Sequence, residues 1–113
     1  MDRLDRLNDL LREQNCVMAI DIKFNDFKYD LELVLSANEL GSNAVSLIFH
    51  DVSALDLSRF GGGLTQFMHL EAFRVDNGLD RIRYEMRDVG DDKISFKFFT
   101  FGGSIFQEQA CGF

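Results

Sequence analysis

The stretch FKYDLELVLS, residues 27–36, decides the fold. Phe27, Tyr29, Leu31, Leu33 and Leu35 alternate with Lys28, Asp30 and Glu32, and a period of two marks a half-buried β-strand. The segment before it, CVMAIDIKF at 16–24, carries the same period. Met18, Ile20, Ile22 and Phe24 alternate with Asp21 and Lys23. Asn25-Asp26 between the two runs predicts a two-residue hairpin loop, because both residue types tolerate positive φ. An amphipathic hairpin of this length needs a core under one face, and the rest of the chain supplies it.

Further strands follow downstream. AVSLIFHD sets Val45, Leu47 and Phe49 on one face. LTQFMHLEAFRV has apolar residues on both faces, Phe67, Phe73 and Val75 against Met68 and Leu70, which predicts a central or two-sided strand. Asn77-Gly78 is a strong hairpin signal. DRIRYEMRD places Ile82, Tyr84 and Met86 inside, with Arg81, Arg83, Glu85 and Arg87 outside. VGDD turns, and KISFKFFTF places Ile94, Phe96 and Phe98 inside, leaving Phe99 and Phe101 on the outer face. A last short strand is expected at SIFQEQ, 104–109. Upstream, residues 2–14 read as a helix with Asp2 as its cap and a stripe of Leu4, Leu7, Leu10 and Leu11. So short a helix is marginal alone, so its leucine face must dock on the sheet.

The expected architecture is one α+β domain over 1–113. A helix at 2–14 packs on antiparallel strands within 16–109, six or seven in a meander that forms a curved sheet or a small sandwich. Parallel pairing would need long crossovers, and none is readable after residue 15.

Composition narrows function. The 113 residues carry 19 acids, 12 Lys and Arg, and a net charge of −7. That balance argues against a nucleic-acid ligand, which requires cations to displace counterions. Residues 1–58 hold 11 acids against five bases, and 59–113 eight against seven, so the acidity sits in the first half. No run approaches the roughly 20 apolar residues of a membrane span, and the N-terminus is too charged for a signal-peptide core. The expected location is the cytoplasm. Cys16 and Cys111 lie far apart without zinc-ligand spacing, which reads as reduced, buried thiols.

Motifs for chemistry are sparse. Gly61-Gly62-Gly63 is followed by no Lys and by a strand, so it is neither a P-loop nor a dinucleotide fingerprint. It reads as a structural turn in which at least one glycine adopts positive φ. Its echo FGGSIFQ at 101–107 reads as a second strand-ending turn. His50, His69 and Cys16 show no metal or nucleophile spacing. Asp51 reads as a turn former through its side chain. Asp88–Asp92 lacks the twelve-residue frame of an EF-hand and reads as a hairpin turn. No cofactor or metal is expected. The basic outer face of Arg81, Arg83, Arg87 and Lys97 would offset the acidic face of Asp21, Asp30 and Glu32 across the sheet.

The runs VSLIFHDVSALDLSRFGGGLTQF and GLDRIRYEMRDVGDDKISFKF, about residues 43–99, resemble small uncharacterised bacterial α+β proteins, with YEMRD and ISF as matching cores. Some of those proteins serve as immunity proteins of toxin systems. The resemblance implies a bacterial α+β protein and carries no common function of its own; the skewed acidity and the absence of catalytic motifs make an immunity protein that blocks a basic toxin the expected instance.

Together these readings predict a non-enzymatic protein-binding domain that meets its basic partner through Asp21, Asp30, Glu32, Asp51 and Asp56. The alternative is a small apolar ligand held in a Phe-rich pocket, the chain having 12 Phe. A third reading is an enzyme built on His50 and Asp51. A homodimer would follow from an uncovered edge strand or from the leucine face of the helix.

Overall fold

Among the described residues, alternating patterns in the sequence become eight strands in two antiparallel sheets, with one helix near the N-terminus, in the computed structural model of the chain. The described residues are 3–38, 40–41, 43–57, 67–75 and 84–103. Asp2, Gly61–Gly63, Asn77-Gly78, Arg81, Arg83, Cys111 and the strand expected at 104–109 lie outside them.

The helix α1 (Arg3–Glu13) buries Leu7, Leu10 and Leu11, as its stripe predicts. The strands are β1 (Cys16–Asn25), β2 (Lys28–Ser36), β3 (Val45–His50), β4 (Ser53–Asp56), β5 (Leu70–Arg74), β6 (Tyr84–Asp88), β7 (Ser95–Phe98) and β8 (Thr100–Gly103). One sheet has the order β1-β2-β3-β8, the other β4-β7-β6-β5. This corrects the expected meander of six or seven strands. The strand expected at KISFKFFTF breaks into β7 and β8, and the third strand breaks off before β4, for which no strand was expected. The third strand also pairs with the last rather than with its successor.

Both breaks have a local cause. Asp51 lies between β3 and β4 with φ of 57°, a left-handed conformation that ends a regular strand. Opposite it, the chain bends at Phe99, whose N–H donates to the carbonyl of His50 at 2.9 Å. The pairing continues through the corner: Leu47 faces Gly103 and His50 faces Thr100 in one sheet, and Ser53 faces Lys97 in the other. The bent ribbon of β3–β4 and β7–β8 therefore belongs to both sheets. The bend also shifts the alternation by one residue. Phe101, expected outside, is buried, and the Arg3 guanidinium lies 4.6 Å from its ring centre.

One core serves both sheets and the helix. Leu31, Leu33, Leu35, Leu47 and Phe49 come from the first sheet, and Met86, Ile94, Phe96 and Phe98 from or beside the second. Each such side chain contributes about 1.5–3 kcal/mol on burial. Phe49 joins the layers, its ring centre 5.2 Å from Phe96 and 4.8 Å from Phe98. Cys16 is buried, as expected, with its sulfur 3.7 Å from that of Met18.

β5, expected to be central or two-sided, is an edge strand among the described residues. α1 covers that edge: the Asn8 side chain donates to the Ala72 carbonyl at 3.0 Å and accepts from the Ala72 N–H at 2.8 Å. One amide side chain thus replaces a neighbouring strand's pair of hydrogen bonds. The second Gly-Gly also differs from expectation. Gly102 and Gly103 lie inside β8, and a Cβ on Gly103 would run into the backbone oxygen of Ser46. Glycine is required there for close approach between strands.

The turn between β6 and β7 forms as the sequence suggests, and buried Asp88 organises it. Its carboxylate accepts from the N–H groups of His69 and Gly90, both at 3.1 Å, and of Lys93 at 3.2 Å. Those oxygens serve the fold rather than a cation site.

Candidate functional site

The β1–β2 hairpin carries most of the candidate residues, and its length explains why. β1 has ten residues, but β3 pairs only with Leu31–Leu35 of β2. The far end of the hairpin therefore extends past the ladder. Its loop is Asp26-Phe27, closed by Asn25 opposite Lys28, and both loop residues have positive φ, 49° and 67°. That is the signature of a type I′ turn. The loop lies one residue later than the Asn25-Asp26 expected from sequence, which takes Phe27 out of the strand.

The apolar residues at this end lie past the facing core and are exposed. Ile22, Phe24, Phe27 and Tyr29, expected on the core face, are 43%, 63%, 93% and 51% exposed. The Phe24 ring centre lies 5.2 Å from that of Tyr29 and 6.4 Å from that of Phe27, so the three rings form one cluster at the hairpin end. Phe27 is strained as well as exposed, since a left-handed conformation costs a residue with a side chain about 1–2 kcal/mol. An apolar cluster in water on a strained turn marks a binding surface more readily than a folding device.

Beside the hairpin lies an apolar groove of about 430 Å³, lined by Ile22 and Tyr29 on one wall and Val52, Ser53, Ala54 and Leu55 on the other. The Val52 N–H donates to the Tyr29 carbonyl at 2.8 Å and ties the two walls together. A second opening of similar size lies where the end of α1 meets β5, with Arg12, His69 and Glu71 among its lining residues.

The opposite face of the hairpin is acidic. Asp21 stands directly across from Glu32, and Lys23 across from Asp30. Two carboxylates in directly opposed positions repel. Lys23 Nζ lies 3.6 Å from Asp21 and 3.9 Å from Glu32 and offsets part of that cost. Asp30 lies 3.3 Å from Nδ1 of His50, and Glu32 accepts from the Ser46 hydroxyl. The structure thus brings Asp21, Asp30 and Glu32 into one band across β1 and β2, which Ser46 and His50 of β3 border. Asp51 is half-buried at the corner after His50. Asp56 belongs to the other sheet, beside Ser95 at the end of β4. The His50 ring is placed on Asp30 rather than on Asp51.

Other charge pairs stay local. Arg87 meets Asp92 at 3.7 Å and Lys93 meets Asp91 at 3.3 Å. The described ion pairs join residues of one element or of adjacent elements, and the expected pairing of basic and acidic faces across the sheet is not among them. Among the described residues no group of three or more His, Cys, Asp or Glu is placed to hold a metal ion, and no helix is long and apolar enough to cross a membrane. The Phe-rich interior is packed ring on ring: Tyr84 stacks on Phe98 at 5.2 Å, and Phe101 meets Phe98 at 5.9 Å. The apolar opening lies outside this core, beside the hairpin.

Sequence reasoning missed Phe24, Phe27 and Tyr29 as surface residues. Their alternation is the same whether the facing core is present or has ended. The length of the hairpin, measured against its short neighbours, is the signal that separates the two cases. Comparison with family models, with curated proteins and with solved structures finds no match.

Proposed function

We propose that this chain is a non-catalytic protein-binding domain that captures a basic partner with the β1–β2 hairpin. The carrying observation is the combination at one end of the hairpin: exposed Phe24, Phe27 and Tyr29 on one side, and the band of Asp21, Asp30 and Glu32 on the other. Aromatic residues enriched at an apolar centre, with charge at the rim, are the usual anatomy of a protein interface. The acids steer a cationic partner and fix its orientation, and the rings supply most of the binding energy. Asp51 and Asp56 extend the negative field toward the groove wall. A bacterial immunity protein that occludes a basic toxin domain, such as a nuclease, fits this division of labour.

The test is calorimetric titration of the purified chain with the basic domain encoded beside it. Binding should weaken as salt rises. Asp30→Lys with Glu32→Lys should lower affinity at least tenfold at low salt. Binding that is absent, or indifferent to both reversals at low salt, contradicts the proposal.

A further inference from the structure

β1 is the outermost strand of the first sheet. Among the described residues it pairs only with β2 from Ala19 to Asn25, and its one other bridge joins Cys16 to Phe67. A long edge strand without proline is a template for another strand. The register shows what that template presents. Asn25 and Lys28 close the two-residue loop, and the loop-closing pair of such a turn is hydrogen-bonded. Hydrogen-bonded and non-hydrogen-bonded pairs then alternate along an antiparallel ladder. Lys23 and Asp21 therefore direct their peptide groups at β2, whereas Phe24, Ile22 and Ile20 direct theirs at the outer edge. Tyr29, the partner of Phe24, agrees with this phase, because its carbonyl points away from β1 to the Val52 N–H.

We propose that β1 pairs antiparallel with β1 of a second copy across a two-fold axis at Ile22, joining two four-stranded sheets into one of eight strands. Only residues of like phase can exchange hydrogen bonds, so the axis must pass through a residue of the Asp21–Lys23 region with the phase matched in both copies. Charge chooses among the three registers. An axis at Asp21 sets Asp21 on Asp21, and an axis at Lys23 sets Lys23 on Lys23. An axis at Ile22 sets Asp21 opposite Lys23 of the second copy, twice by symmetry. Opposite charges in facing positions stabilise a strand pair, and like charges destabilise it. In this register Ile22 faces Ile22 and Phe24 faces Ile20, so the exposed apolar face of each β1 continues into the other. The contact is self-complementary, as a two-fold interface must be.

Light scattering on the full chain tests this. The wild type should have twice the 13.0 kDa chain mass. Asp21→Lys and Lys23→Asp should each give monomer, and the double variant, with the charges exchanged, should restore the dimer. A wild type that stays monomeric at every concentration overturns the proposal, as does a dimer indifferent to both single reversals. Circular dichroism confirms that each variant folds. Should a reversal unfold the chain, Ile22→Cys in a Cys111→Ser background is decisive. Mild oxidation should link copies through the two-fold position, where facing Cα atoms lie within disulfide reach, and should not link Phe24→Cys. Failure of the residue 22 variant to cross-link overturns the register.

Discussion

Phe27 concentrates the functional argument in one residue. Its φ of 67° belongs to glycine or asparagine, and its side chain is the most exposed of the large apolar ones among the described residues. A chain selected for stability alone would place glycine after Asp26, since Asp-Gly suits a type I′ turn. Phe27→Gly should therefore raise stability by up to about 1 kcal/mol, the left-handed strain relieved less the entropy cost of glycine. The same change should weaken binding of the basic partner, because a ring is lost from the cluster. Urea unfolding and titration of the one variant read both effects. A variant less stable than wild type that binds unchanged would show that Phe27 serves the fold. Asp88 is the opposite kind of residue, a carboxylate committed to three backbone N–H groups and hence to the turn.

Among the elements, the contact between α1 and β5 shows how an edge is closed without a strand. Asn8 meets both backbone groups of Ala72. Asn8→Ala leaves a donor and an acceptor unpaired at a buried residue and should cost about 2 kcal/mol or more. Asn8→Asp keeps the acceptor and should cost less. Urea midpoints of the two variants check the order, and equal midpoints would mean that the leucine stripe alone docks the helix. The contrast with β1 is instructive. Both are terminal strands of their sheets, but the helix covers only β5, and that asymmetry leaves β1 to pair with a second copy.

Across the whole molecule, sequence periodicity locates the helix, the faces of β2, β3 and β7, and the buried leucines, because burial imposes period on residue type. The turn at Asp51 was legible from its residue type, but periodicity does not locate the bend at Phe99, which splits β7 from β8 and turns Phe101 inward. Nor does it reveal that β3 pairs with β8, since partners distant in the chain leave no local trace. The acids Asp21, Asp30 and Glu32 were legible as one face of a hairpin, and the rings on its other face were not. They carry the same alternating pattern as core residues and differ only in lying past the end of the core. That arrangement gives the molecule one projecting arm, apolar on one side and acidic on the other. The central claim is that this arm is what the partner touches. Amide chemical shifts of the labelled chain, followed as the basic domain is added, test it most directly. The account predicts that the largest changes fall on Asp21–Glu32 and Asp51–Asp56, with α1 and β5 unmoved. Changes confined to α1, β5 and β6, with the hairpin silent, would contradict it.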